Sequence, residues 1–292
     1  MKGMSYEMPT TKYETVLPFA SKANNGNRGD EQNKAFHREV IAYWNERSCT
    51  YSNSIKDELC DSHFGAWSDV LMPIIDAQAQ RSKTTDFKVL DLGCGPGFFE
   101  IMLSRNGYTV HGIDSSAAMI SRAKENVAQS ADLSLVQFYC SDVAELPFES
   151  DSYDVVMSRN VTWLMSDPIK AYTEWCRVLK PGGKMLVFDA NWYTYLGDDT
   201  LNQTRINDQV DASILNWSDN AFASKSQEVR CENIAKRLPL TYQKRPAWDA
   251  SILPTLGFTE VKTDEEFAYR VWNEGEQAFY ATSLLFSVEA SK

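Results

Sequence analysis

From Phe87 to Asn191 the sequence alternates between short apolar runs and longer stretches of helical spacing, and this pattern limits the fold more than any other feature. The runs are "FKVLDLG", "YTVHGID", "SLVQFYCSDV", "YDVVMSRNV" and "KMLVFDAN"; between them lie "FFEIMLSRNG", "SSAAMISRAKENVAQ" and "DPIKAYTEWCRVLKPGG". Strands separated by helices of ten or so residues must cross over, and such crossovers are right-handed and build a parallel sheet covered on both faces. The chain is therefore expected to be an α/β protein with a doubly wound, mostly parallel sheet. The helix limits are marked in the same region. Ser115 or Ser116 is placed to cap one helix, Asp167-Pro168 supplies a cap and a first residue for another, and Pro181-Gly182-Gly183 reads as a stop.

Around this core the segments differ. With 292 residues the chain can build one core with additions, since single cores saturate near ~250–300 residues. Residues 1–30 are polar and read as a disordered tail. Over 31–85, Phe36, Val40, Ile41 and Trp44, then Trp67, Val70, Leu71, Ile74 and Ile75, recur at helical spacing and predict two amphipathic helices as an N-terminal cap, with a polar stretch holding Tyr51 between them. Residues 86–190 form the core. Alternation lapses over 191–245, which reads as a mainly helical lid inserted between the fifth and sixth strands. Residues 246–292 return to the pattern with a helix and the strands "FTEVKT" and "ATSLLFSVEA", which bring the sheet to seven.

A net charge of −11 with no cluster of Lys and Arg argues against a nucleic-acid footprint, so small molecules are the expected partners. No apolar run is long enough to span a bilayer and the N-terminus has no secretory pattern, so no membrane partner and a cytoplasmic location are expected. The six cysteines include no Cys-x-x-Cys pair and there are three histidines, so no metal site is expected. The pattern leaves the oligomeric state open.

At the end of the first strand stands "VLDLGCGPGFFE". Dinucleotide-binding turns space their glycines as G-x-G-x-x-G. Here Gly93, Gly95 and Gly97 fall at every second position and Phe98 occupies the place of the third small residue. No Gly-Lys-Ser/Thr follows, which excludes a phosphate-cradling Walker loop.

Asp91-Leu92-Gly93-Cys94-Gly95-Pro96-Gly97 resembles the first motif of the class I S-adenosylmethionine-dependent methyltransferases, and the resemblance runs from about Phe87 to Ala190. Asp114 follows Asp91 by 23 residues, Ser141-Asp142-Val143 closes the third strand, and "LKPGG" precedes the fifth. The resemblance implies a Rossmann-like methyltransferase fold with S-adenosyl-L-methionine as cofactor. It implies that Asp114 accepts hydrogen bonds from both ribose hydroxyls, that Asp142 receives the adenine amino group, and that the amide of Val143 meets the ring. The glycine turn (Gly93, Cys94, Gly95, Gly97) and Asp91 would lie against the amino-acid half of the cofactor. Ser115, Met119, Ser158 and Arg159 complete the expected cofactor set, and Tyr51 in the cap would contact the methionine half.

Methyl transfer from a sulfonium is an in-line displacement that needs alignment and desolvation more than a covalent nucleophile. Asn160, Trp163 and Trp192 are expected to position the acceptor, with Asp189, Asn191, Tyr193 and Tyr195 beside them; Trp163, Trp192, Tyr193 and Tyr195 either line the acceptor pocket or pack the lid. "SRNVTW" after the fourth strand lacks an Asn-Pro-Pro-Tyr, a Pro-Cys and an adjacent Asp-Asn pair, so the reaction is expected to be metal-independent. Two other readings stand beside it: an NAD(P)-dependent oxidoreductase, and a non-catalytic cofactor-binding module of the same fold. An arsenite-type enzyme using Cys49, Cys60 and Cys231 is set aside.

Overall fold

A computed structural model of the chain describes residues 26–60, 62–214 and 223–292. The reading of a disordered tail lies outside these residues up to position 25. The elements in chain order are α1 (Gly26–Cys60), α2 (Ser62–Ser82), β1 (Lys88–Leu92), α3 (Phe98–Arg105), β2 (Thr109–Asp114), α4 (Ala117–Ser130), β3 (Val136–Cys140), β4 (Tyr153–Arg159), α5 (Pro168–Val178), β5 (Leu179–Asp189), α6 (Asp199–Ile214), α7 (Lys225–Ala235), α8 (Ala247–Ile252), β6 (Thr259–Asp264), α9 (Ala268–Val271), α10 (Glu274–Phe279) and β7 (Phe286–Ser291).

The strands form one seven-stranded sheet in the order β3-β2-β1-β4-β5-β7-β6. β1 to β5 pair in parallel, and β7 runs antiparallel between β5 and β6. The strand order reverses between β1 and β4, so their carboxyl ends open a crevice at the place where ligands bind in such sheets. On one face Trp67 of α2 meets Phe98, Phe99, Phe188 and Phe267, with edge-on geometry to the first three. On the other, Tyr172 and Trp175 of α5 pack with Leu253, Phe258 and Phe286. These rings are almost wholly buried, and each contributes about 2–3 kcal/mol by leaving water.

The caps read from the sequence form. Ser116 Oγ accepts from Met119 N at 3.1 Å, and Asp167 Oδ1 accepts from Lys170 N at 3.0 Å with Pro168 first in the helix. Pro181-Gly182-Gly183 differs from expectation, because α5 already ends at Val178 and the three residues lie within β5. The cap also differs: the polar stretch around Tyr51 is part of one 35-residue helix, α1. Its buried positions, Tyr43, Arg47, Ser48, Ser52 and Ile55, do follow helical spacing. Small serines fill that face because α4 lies close, where Asn126 Nδ2 donates to Ser52 Oγ at 3.0 Å.

The insertion after β5 is helical, as read. It is fastened to the core by a fully buried ion network in which Arg245 Nη1 donates to Asp189 Oδ2 at 3.0 Å and Arg245 Nε to Asp249 Oδ2 at 2.9 Å. Tyr172 of α5 donates to Asp249 Oδ1 at 2.5 Å. Removing the central cation leaves two buried carboxylates unopposed, which typically costs 3–5 kcal/mol. Arg245→Met is therefore expected to lower unfolding free energy by about 4 kcal/mol in urea titrations at neutral pH.

Candidate active site

The turn after β1 is pinned to the end of β2. Gly93 N and Cys94 N both donate to Ile113 O, at 2.7 and 3.0 Å, and Gly95 N donates to Asp114 Oδ2 at 3.0 Å. Gly93 has φ +72°, and a Cβ there would stand 2.4 Å from Val161 Cγ2. Gly97 has φ +91° and would bring a Cβ to 3.3 Å from the backbone of Ala123, so it lets the turn lie against α4. At Gly95 the nearest atom to a Cβ is Tyr51 Cε1 at 3.7 Å; its open side faces the cleft.

Asp114 sits at the tip of β2 and accepts from two backbone amides, Gly95 N and Ser116 N, the latter at 2.8 Å. Burial pushes its carboxyl up to about 6, against the pull of those amides. At the tip of β3, Asp142 Oδ1 accepts from Ala144 N at 2.9 Å, and His37 Nε2 of α1 lies 3.7 Å from its other oxygen. After β4 the guanidinium of Arg159 is 4.4 Å from the Phe98 ring centroid and donates to Glu58 Oε2 at 2.7 Å. Asn160 follows with φ +59°, an uncommon conformation for a residue with a side chain and one that gathers at functional sites. Its Oδ1 is buried and accepts no hydrogen bond, and neither does the buried Trp44 Nε1 donate one.

These groups line one cleft of about 990 Å³, its open mouth included. Of the expected residues, Tyr51, Gly93, Gly95, Asp114, Ser115, Met119, Asp142, Val143, Arg159 and Asn160 are brought together there. Asp91, Cys94, Gly97 and Ser158 form the layer behind it, each buried or turned into the packing. Burial pushes the Cys94 thiol and the Tyr51 hydroxyl up, so both stay protonated at neutral pH. Trp163 and Trp192 stand off the cleft. Trp163 Nε1 donates to Asn160 O at 3.0 Å while its ring packs on Tyr193, and Trp192 Nε1 donates to Asp189 Oδ1 at 3.0 Å. With Tyr193, Asn191 and Arg245 they enclose a separate cavity of about 220 Å³. Tyr193 donates to Cys231 Sγ and Tyr195 to Glu232, so both rings serve the packing of the insertion itself. Asp189 is the buried acid of the ion network. Cys49 is exposed and Cys231 buried.

The sequence reading missed one wall. Phe36, His37, Val40, Ile41 and Trp44 of α1, with Val161, Leu164 and Met165 after β4, complete the cleft. The helical spacing of Phe36, Val40 and Trp44 was the available signal, yet spacing shows that a face is covered, not that a cavity lies beneath it.

Residues 90–187 match the family model described as a methyltransferase domain. Over these residues the chain carries a methyltransferase domain. "Methyltransferase GfsG" of Streptomyces halstedii is 29% identical over 166 residues, 53% of this chain and 59% of that protein. The ubiquinone biosynthesis O-methyltransferase of Coxiella burnetii (strain Dugway 5J108-111) is 30% identical over 115 residues, 37% of this chain and 48% of that one. The chain thus spans 59% and 48% of the length of these two curated relatives. Among solved structures, phosphoethanolamine N-methyltransferase 2 of Haemonchus contortus, in complex with S-adenosyl-L-methionine, is 19% identical with a TM-score of 0.47, covering 82% of this chain and 60% of that chain. Among the described residues no helix is long and apolar enough to cross a membrane.

The geometry of the methyltransferase turn yields a stability prediction. Gly93→Ala forces a side chain into the left-handed region and into Val161, and is expected to cost about 3 kcal/mol, combining ~1–2 for backbone strain with ~1–3 for overpacking. Thermal unfolding checks this, and adding Val161→Ala is expected to recover the packing part but not the backbone part.

Proposed function

We propose that the protein is an S-adenosyl-L-methionine-dependent methyltransferase that transfers a methyl group to a small-molecule acceptor by in-line displacement, without a metal. The observation that carries this reading is the convergence of the glycine turn, Asp114 and Asp142 on one cleft. The residues fit the cofactor. Asp114 has both oxygens at the rim of β2 and is already steadied by two amides, so it accepts ribose hydroxyls without reorganising. Asp142 and Val143 supply an acceptor and an amide at the adenine end. The backbone of Gly93 and Gly95, open to the cleft at Gly95 where no Cβ stands, lies against the amino-acid end, where Tyr51 and the unpartnered Asn160 Oδ1 face it.

When bound, the cofactor would supply an activated methyl on a positive sulfur for direct displacement by an acceptor lone pair. The protein's contribution is to hold the two partners in line and to keep water out. The apolar wall of Val40, Ile41, Trp44, Leu164 and Met165 provides the exclusion. A small acceptor fits a cleft of this size that is partly occupied by the cofactor. A protein of net charge −11 offers nucleic acid no electrostatic attraction.

Isothermal titration of the purified chain with S-adenosylhomocysteine is expected to show saturable binding, with none to NADPH; binding of NADPH alone would favour the oxidoreductase reading. Formation of S-adenosylhomocysteine with pooled phenols, amines, thiols and carboxylates then separates an enzyme from a binding module. Asp114→Ala is expected to weaken binding about 10–100-fold, since charge-assisted hydrogen bonds contribute about 1.5–3 kcal/mol. Wild-type affinity should fall below about pH 6, where the Asp114 carboxyl gains its proton and loses acceptor capacity. Unchanged affinity in that variant would refute the ribose assignment.

A further inference from the structure

Glu100, in the first turn of α3, has 0% exposure; neither carboxyl oxygen has a partner of good hydrogen-bond geometry, and the donor that pulls on it is its own backbone N–H. Its Oε1 fills the space beneath Gly112 of β2, where a Cβ would come within 2.4 Å of it. The groups that face it are Asp91 from β1, within hydrogen-bond reach, the Cys94 thiol from the turn, and Asp114 from β2. All are acids. The nearby cation, Arg159 from β4, acts on Asp91 and is already paired with Glu58 at 2.7 Å. An ionised carboxylate with no cation and only its own amide as donor in such a place is far costlier than a neutral one. Two buried carboxyls in contact cannot both carry charge and so share a proton. Burial raises both carboxyls, Asp91 to about 7, and Arg159 pulls back Asp91 and not Glu100, so Asp91 is the member that ionises first.

We infer that Glu100 is a positioning residue that remains protonated in the folded protein and donates its O–H to Asp91, so that the pair's single negative charge rests on Asp91 behind the glycine turn. Burial pushes the Glu100 carboxyl well above its ordinary range, as this requires. The consequence for the cofactor's ammonium end rests on the functional reading above; the proton itself does not.

Two experiments test the two halves separately. In the first, urea unfolding of the ligand-free protein is followed from about pH 5 to about pH 8 for wild type and Glu100→Gln. An acid held protonated in the fold but ionised when unfolded gives stability that is complete below its unfolded value and lost as pH rises. The wild-type unfolding constant should therefore grow about tenfold per pH unit relative to the variant. Parallel pH dependences would overturn the proposal. Should Glu100→Gln not fold, Glu100→Met serves in the same titration, since it also lacks the proton.

In the second, S-adenosylhomocysteine affinity is compared in Glu100→Gln and Asp91→Asn, which neutralise opposite members of the pair. Glu100→Gln keeps a donor toward Asp91 and is expected to stay within about threefold of wild type, while Asp91→Asn loses about tenfold or more. Equal losses, no loss in Asp91→Asn, or a loss confined to Glu100→Gln would overturn the assignment of the charge to Asp91. If wild type binds no adenosyl ligand, the functional reading falls, and the proton on Glu100 is still judged by the unfolding titration.

Discussion

The site depends on the short hydrogen bonds that tie the turn after β1 to the tip of β2. Three amides of the turn, from Gly93, Cys94 and Gly95, are spent on Ile113 O and on the Asp114 carboxylate. Such a turn cannot relax without moving Asp114, and Asp114 cannot move without releasing the turn and the start of α4, where Ser116 N is its second donor. The strand tip, the loop and the helix N-terminus are therefore one rigid body. A polar ligand meeting that body encounters groups whose orientation has been set during folding, which is the condition for strong recognition at low entropic cost.

The buried polar groups around this unit divide into two systems with different tasks. On one side of the sheet, Asp91, Glu100 and Glu58 lie behind Arg159, which reaches the cleft with its guanidinium against Phe98, Trp67 and Phe99. On the other, Arg245 joins Asp189, Asp249 and Tyr172 and fastens the insertion to the core. The first system borders the cleft and the second fastens the insertion. Their separation explains why Trp163 and Trp192, which follow the strands of the active end, have their indole N–H groups engaged by Asn160 O and Asp189 rather than directed into the cleft.

Much of this was legible in the sequence where local chemistry and global fold agree. The glycine turn, the acids at the tips of β2 and β3, and the caps at Ser116 and Asp167 are read from neighbouring residues; the caps form, and Gly93, Gly95, Asp114 and Asp142 line one cleft. What escaped depends on contacts between distant segments. The continuity of α1 through Tyr51 was hidden because serines, not apolar residues, occupy its buried positions against α4. His37 and Trp44 enter the cleft through the path of that helix, which no spacing rule records. The buried state of Glu100 was equally hidden: a glutamate in a first helical turn reads as a solvated acid favoured by the helix dipole, and only the sheet above it shows otherwise.

The central claim is that the rigid unit formed by the turn and Asp114 is shaped for an adenosyl ligand. A crystal structure of the protein with S-adenosylhomocysteine tests it most directly. The account predicts both ribose hydroxyls at hydrogen-bond distance from Asp114, the adenine beside Asp142 and Val143, and the amino-acid end over Gly93 and Gly95. Density for the ligand elsewhere, or a ribose turned away from Asp114 with the turn uncontacted, would contradict it.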